Sequence, residues 1–556
     1  MAACQQYDMP EPPTFDQPQT KDGMIQLGRR LQNPYTVENM REAYANLVSQ
    51  GVLKSGLRIE ATHHYIRVLP ASEYELYDFE NQLLQHLGEH DMELLEESIS
   101  GHIYSHPLDY EIIGGGYYFY NPQLPPGGIT WQYTVIPVGF TMLPVQHEVL
   151  ADLFLKCDFA IAEKSSRGFD QASWQLLETE ALKLAGDPYA EISGPVLKGT
   201  AWWPSGRITV FDNVLNQQIP LQGAKVRARR WFTTHVAISQ PNGTFQMQRP
   251  FHRPANYSIV WERADWDIRL GNWGQAMFNG PKIRGVWNLD ISTGRSLGLA
   301  TVHRALYRYY FNDRLGLKAP FIAPFHRSRL KVGYFHDGHW TFDMKPSVGY
   351  AIPYWNLATF PHINISGVGR YGKLSTNRIF GMTINELAHV SHWELINDRL
   401  GLIANLAGVT GRGVFSLMWL NLVPPFKNTR IIVEGWSNVV DWELTNLEYY
   451  SLRNRFKPWA RVYNHREGRQ EWTPDDDPLG GNPLFIDLID DYNQRFHLGG
   501  NRPNDNVRGF TISTLENNVL KYTFDFRSLR QQLKANKPAG VTDAEIDELI
   551  DFYENL

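Results

Sequence analysis

From Gly206 to Met247, short runs of alternating apolar and polar residues are separated by turn residues, and this pattern restricts the fold more than any other in the chain. Gly206-Arg207-Ile208-Thr209-Val210-Phe211-Asp212 reads as one strand, and Pro220-Leu221-Gln222-Gly223-Ala224-Lys225-Val226-Arg227-Ala228 as a second. A third begins near Val236, breaks at Pro241-Asn242-Gly243 and resumes at Thr244-Phe245-Gln246-Met247. Asn-Gly between alternating segments predicts a hairpin, because the tightest hairpin turns need positive φ at both central residues. Residues 198–275 therefore read as a unit built from strands. A chain of 556 residues has room for roughly three or four domains.

The flanks read differently. Residues 1–25 are polar and Pro-rich and read as a tether. In residues 33–53, Tyr44, Leu47 and Val48 fall at helical spacing behind Thr36, a suitable N-cap. Alternation at His64-Tyr65-Ile66-Arg67-Val68 and β-prone residues at Trp131–Ile136 make residues 26–160 an α+β N-terminal domain, with a helix-like acidic stretch around Glu73–Glu97. Residues 161–197 read as a connector, helical or loosely ordered over Ile161–Leu184. From about Leu297 the spacing becomes helical, with candidate helices at Thr301–Tyr310, Thr376–Asp398, Thr429–Leu444 and Asp543–Tyr553. Residues 276–556 are expected to be mainly helical. The fold class is thus multidomain α+β.

Charge and hydropathy exclude some functions. With 53 Lys+Arg against 59 Asp+Glu the net charge is −6, which argues against a nucleic-acid surface built on bulk positive charge. No apolar run approaches the roughly 18 residues a spanning helix needs. The longest, Val414 to Val423, is interrupted by Ser416 and Asn421. A soluble or peripherally anchored chain is expected. Cys4 and Cys157 are the only cysteines, too few for a disulfide framework. Met1-Ala2-Ala3-Cys4 resembles the tail of a bacterial lipoprotein signal, in which Cys4 would be lipidated and provide membrane attachment. An ordinary cytosolic start with a disordered tail remains the other reading.

The stretch that carries chemistry is Thr383-Ile384-Asn385-Glu386-Leu387-Ala388-His389-Val390-Ser391-His392-Trp393. On a helix, positions 385, 389 and 392 share one face and Glu386 lies about 100° around from Asn385. In H-E-x-x-H, two histidines one turn apart bind zinc and the Glu polarises the metal-bound water. Here Asn385 holds the first position. A catalytic zinc takes three protein ligands, and in one large branch of zinc peptidases the third is a Glu on a following helix. Glu434, 45 positions past His389, suits that role.

These segments resemble a family of secreted or lipid-anchored proteins of Bacteroidetes-type bacteria with a gluzincin-like zinc metallopeptidase domain. Thr383–Trp393 looks like T-I-H-E-L-A-H-x-S-H-W, Val433-Glu434-Gly435-Trp436 looks like V-E-S-W, and Phe485–Gln494, Pro107–Ile112 and Thr130–Val138 also fit. The resemblance implies a zincin-like fold for residues 276–556, zinc as cofactor, His389 and Glu434 as ligands, Glu386 as general base, and a peptide or protein substrate. Residues 198–275 resemble the carboxypeptidase-regulatory-like domains, which implies a prealbumin-like β-sandwich with a spacer or interaction role.

Asn385 departs from the pattern. A neutral amide oxygen is a much poorer zinc donor than imidazole nitrogen. His392 lies one turn past His389 and is the alternative ligand, although using it would draw a metal away from Glu386. Three readings follow: a degenerate peptidase fold, a hydrolase with an altered ligand set, or a helix with two hydrogen-bonded histidines and no metal. In function these become a cell-surface or secreted peptidase-like protein with an impaired site, or a non-catalytic surface lipoprotein serving as a binding or assembly subunit of an outer-membrane complex. Gly367-Val368-Gly369-Arg370-Tyr371-Gly372 matches a dinucleotide fingerprint literally but lacks a βαβ setting, so it reads as a glycine-rich turn.

Overall fold

The computed structural model describes residues 23–86, 102–121, 124, 129–142, 144–156, 170–190, 201–271, 274–320, 329–340, 346–347, 349–351, 361–369, 372–406, 425–456, 472–473, 481–523 and 525–556. Cys4 and Cys157 lie outside the described residues. The architecture is mixed α+β with several sheets and a multidomain character.

The N-terminal unit contains β1 (Gln26–Arg30), α1 (Val37–Ser49), β2 (His63–Leu69), α2 (Glu73–His86), β3 (Tyr110–Gly114), β4 (Gln132–Pro137) and β5 (Gln146–Leu153). Thr36 caps α1 by accepting from the Asn39 amide. Strands β4, β2 and β5 form an antiparallel sheet with β2 in the middle. Its alternation sends Ile66 and Val68 to a small core with Phe79 and Leu83 of α2, while Tyr65 faces α1. The stretch read as a connector holds α3 (Gln171–Leu184), capped by Asp170. Its Trp174, Leu177 and Ala181 share a core with Met40, Ala43 and Leu47 of α1, so α3 packs as part of the N-terminal unit. Of the segment read as tether, Ile25 is buried and its amide donates to the Tyr118 carbonyl.

Next come β6 (Ser205–Asp212), β7 (Gln217–Pro220), β8 (Lys225–Arg230), β9 (Thr233–Ile238), β10 (Thr244–Gln246), β11 (Ala255–Val260), β12 (Trp266–Leu270), β13 (Met277–Ile283) and β14 (Trp287–Ile291). One sheet runs β10-β6-β14 with β7 also on β6, and the other runs β13-β11-β8-β9. Strands therefore continue past residue 275, and β14 pairs in parallel with β6. Asn242-Gly243 does form a tight turn, with Gly243 at φ 80° and the Gln240 amide donating to the Thr244 carbonyl. It carries the chain from one sheet to the other instead of closing a paired hairpin. The two-residue hairpin loop is Trp231-Phe232, between the paired Arg230 and Thr233. Trp231 adopts positive φ there because Phe232 plugs into the N-terminal core, an environment that outweighs the local preference for Asn or Gly.

The C-terminal unit contains α4 (Gly294–Phe311), β15 (Leu330–Phe335), β16 (Gly349–Ala351), β17 (Ile363–Ser366), α5 (Thr376–Leu406), α6 (Pro425–Phe456), α7 (Phe526–Ala535) and α8 (Asp543–Glu554). It is less purely helical than its periodicity predicts: β12, β15 and β17 are parallel, and β16 closes the edge antiparallel. Strands buried on both faces read as continuous apolar runs, and Leu330, Val332, Ile363 and Ile365 are all fully buried. The glycine-rich run forms a minimal hairpin pairing Val368 with Lys373 ahead of α5. One hydrophobic core joins these two sheets, those of β6 and β11, to this unit. At the seam, Asp212 at the end of β6 accepts from Arg304 Nη1 of α4 at 3.0 Å and from the Tyr449 hydroxyl of α6 at 2.8 Å.

Candidate functional site

The site is the contact between α5 and α6. Gly381 faces Asp441, Asn385 faces Ser437 and Asn438, and His389 faces Glu434, so the helices run antiparallel. Glycine lets them approach, since a Cβ at Gly381 would collide with the Asp441 carboxylate, while on the far side of α6 Gly435 makes room for the segment that follows, where a Cβ would sit 2.6 Å from Asn482 Oδ1. Around these residues α6 is apolar, with Ile431, Ile432, Trp436, Val439 and Val440 buried. The polar groups therefore sit in a medium where each needs a partner.

Asn385 Nδ2 donates to Ser437 Oγ at 3.0 Å and approaches Asn438 Oδ1 at 3.4 Å. The ladder continues, because Asn438 Nδ2 donates to the Asn482 carbonyl at 3.0 Å and Asn482 Nδ2 donates to the Ile431 carbonyl at 3.1 Å. Ser437 Oγ also donates back to the Glu434 carbonyl. One turn along, His389 Nε2 lies 3.8 Å from Glu434 Oε2. Glu386 is buried, and desolvation first and the Glu434 charge second push its carboxyl well above the usual range. His392 is buried and pushed down to about 3 by burial and then by His389, so it is a neutral imidazole. Ser391, between the two histidines, donates to the Lys318 carbonyl, and the Lys318 amide donates to Glu516.

The structure thus brings together Asn385, Glu386, His389 and Glu434 at one helix crossing and leaves His392 one turn further along. Cys4 lies outside the described residues. Ser437, Asn438 and Asn482 are site residues that the sequence reading does not anticipate. A signal for two of them is present in α6, where Glu434, Ser437, Asn438 and Asp441 follow the i, i+3, i+4, i+7 spacing of a single face.

The donor set can be tested against zinc. Two donors about 2.1 Å from a tetrahedral zinc stand roughly 3.4 Å apart, so His389 and Glu434 are a few tenths of an ångström too wide. The third position is weak, because the Asn385 amide nitrogen is turned to Ser437 and Asn438 and leaves only a neutral amide oxygen, a much poorer zinc donor than imidazole nitrogen. Among the described residues no group of three or more His, Cys, Asp or Glu is arranged to hold a metal ion. The residues present do not fit a three-ligand catalytic zinc. No helix among the described residues is long and apolar enough to cross a membrane. Comparison with protein-family models, with curated proteins and with solved structures finds no match for this chain.

Proposed function

We propose that the chain is a cell-surface or secreted protein whose C-terminal unit keeps a gluzincin-like peptidase fold without a working zinc centre. In this reading it is a non-hydrolytic binding or assembly subunit of an outer-membrane complex, anchored through a lipidated Cys4. The prealbumin-like sandwich and the N-terminal unit contact its protein partners. The observation that carries the reading is the Asn385 side chain. It occupies the first ligand position of the zinc motif and spends its donors on Ser437 and Asn438 of the facing helix. A hydrogen-bonded pair of this kind holds α5 to α6 where a metal would otherwise bridge them. Glu386 stays buried with a raised pKa and has no metal-bound water to act on.

The deciding measurement is the zinc content of the purified full-length protein, taken together with hydrolysis of a denatured protein substrate. Substoichiometric zinc and no cleavage are expected. Stoichiometric zinc with cleavage that disappears in Glu386→Gln would establish a hydrolase with an altered ligand set. Mass spectrometry of the N-terminus of the native protein tests the anchor, since an unmodified Met1 excludes lipidation at Cys4.

A further inference from the structure

Between the buried residues Leu488 and Phe510 the chain leaves the core and returns to it. The Gly509 amide donates to the Ile489 carbonyl at 3.2 Å and the Phe510 amide to the Leu488 carbonyl at 3.1 Å, so residues 490–508 form a loop closed at its base. The loop is also stitched together from inside. Asn493 Oδ1 accepts from the Phe496 amide at 2.9 Å and caps a single helical turn, Gln494–Leu498, while Asn493 Nδ2 donates across the loop to Asn504 Oδ1 at 2.9 Å. The Arg495 amide and Nε donate to the carbonyls of Pro503 and Arg502, and Arg502 Nη1 donates to the Gly499 carbonyl. Gly499 and Gly500 end the turn at φ 68° and 72°, a conformation that favours glycine. Gln494 is buried and its side-chain amide donates to Asp487 Oδ1 at 2.7 Å, which pins the turn to the core.

What this frame holds out to solvent is apolar. Phe496 is 80% exposed, the most exposed of the large hydrophobic side chains among the described residues, and Leu498 is 41% exposed. A single exposed apolar side chain is ordinary on a protein surface. Here the bonded frame fixes two of them at one tip and denies the backbone the freedom to fold them back. The charge at the tip has one sign: from Gln494 to Pro503 the sequence carries Arg495 and Arg502 and no carboxylate, although the chain as a whole has a net charge of −6. The carboxylates of the loop lie in its limbs, Asp490 and Asp491 beside the closure and Asp505 buried. On α8, Glu548 takes the Asn504 amide and Asp551 is paired with Arg530.

We propose that the tip of this loop docks on an anionic lipid bilayer, with Phe496 and Leu498 entering the interfacial layer and the positive charge of the tip facing the headgroup phosphates. Aromatic and aliphatic side chains flanked by arginine have the composition that settles at this boundary. Two side chains on a narrow tip offer far less than the roughly 1,200 Å² that a stable protein interface buries, whereas a fluid bilayer needs no matching pocket. Because the loop is already fixed, little conformational entropy is lost on docking. No acyl chain at Cys4 is needed for this contact, so its failure would leave the anchored-subunit reading untouched.

The test uses the full-length protein as Cys4→Ser, so that no acyl chain contributes, and sedimentation with vesicles of phosphatidylcholine alone or mixed equally with phosphatidylglycerol. Binding is expected to the mixed vesicles, weakening as salt is added, and much less to phosphatidylcholine alone. Phe496→Ser should weaken binding about tenfold, and Leu498→Ser by a smaller factor. Both variants should keep the melting temperature of the parent, because both side chains are exposed. Should one variant fail to fold, the other still decides. No binding of the folded parent to either vesicle, or binding that both variants leave unchanged, would overturn the proposal. So would Phe496-dependent self-association without lipid in analytical ultracentrifugation, which would assign the tip to a second copy of the chain.

Discussion

Asn385 on α5 and Ser437 on α6 are joined by a 3.0 Å hydrogen bond at the level where the sequence motif would place a metal ligand. Both helices are apolar around them, and Ser437 is fully buried. Such a bond is modest in net value, about 1 kcal/mol, but breaking it strands a buried donor or acceptor at a larger cost. The crossing is therefore held by packing and a fully protein-based polar ladder, and this has consequences for metal removal and for substitution.

Chelation should leave the protein unmoved. Dialysis against EDTA is expected to shift the melting temperature by less than about a degree, because no folding free energy is tied to zinc. Asn385→His should bring in the missing imidazole, giving measurable zinc uptake, while the apo protein loses about 1–3 kcal/mol as Ser437 and Asn438 lose their donor. Calorimetric titration with zinc and denaturant unfolding of the apo form check the two halves. A metal-free Asn385→His protein that still takes up no zinc would place the ligand face elsewhere on α5.

Gly435 and Asn482 are a second coupled pair. A Cβ at Gly435 would meet Asn482 Oδ1 at 2.6 Å, and Asn482 is pinned by its bond to the Ile431 carbonyl and by accepting from the Leu484 amide at 3.3 Å. Gly435→Ser is expected to cost about 1–3 kcal/mol from overpacking. In an Asn482→Ala background the hydroxymethyl group introduced by Gly435→Ser finds space, so the two changes should be non-additive by more than about 0.5 kcal/mol. A double-mutant cycle in urea measures this, and simple additivity would mean that the backbone absorbs the clash.

Much of this is legible without coordinates. Periodicity locates α1 with its Thr36 cap, strands β6, β9 and β10, and the helices that carry Glu386, His389 and Glu434, whereas the run read as one strand over Pro220–Ala228 is the end of β7, a turn and most of β8. Local rules fail where tertiary contacts decide the outcome. Asn242-Gly243 turns between sheets, and Trp231-Phe232 makes the hairpin because Phe232 has a core to fill. Strands β15, β16 and β17 are short and lie among helices, so neither a period of two nor their length marks them. At the site, spacing puts Asn385 and His389 on one face, but only the pairing of α5 with α6 determines which residues of α6 each one meets.

Asp212 should matter more to cohesion than any surface ion pair. Its Oδ2 receives both Arg304 and Tyr449, and its Oδ1 accepts from the amides of Val214 and Leu215. Asp212→Ala leaves the buried Arg304 guanidinium with only Glu448, 3.4 Å away, as its carboxylate partner. A loss of about 3–5 kcal/mol is expected for breaking one side of a buried pair. Limited proteolysis should then cut between β14 and α4 before the rest of the chain unfolds. A variant with unchanged resistance would mean that the shared hydrophobic core alone holds the two units together.

Glu516 gives a pH dependence whose sign can be worked out. Its carboxyl is pushed up to about 7, chiefly by burial, while the Lys318 amide and charge pull the other way. In the unfolded chain a Glu titrates near 4.5. The folded state therefore keeps a proton that the unfolded state releases, so this residue's contribution is fully present below pH 4.5 and is lost as pH rises toward 7. Glu516→Gln removes the titration and keeps an oxygen for the Lys318 amide. The variant should be more stable than the parent at pH 8, by an amount on the order of 1–3 kcal/mol, and the difference should shrink to nearly nothing at about pH 4.5. His63 and His106 work from the acid side, pushed down to about 4 and about 3 by burial. Each costs stability as pH falls below about 6.5, by about 2 kcal/mol at pH 5, and that slope is common to parent and variant. Urea unfolding of both proteins at pH 4.5, 6 and 8 isolates the Glu516 effect, and a Glu516→Gln difference that stays constant with pH would show that the carboxyl titrates normally in the folded protein.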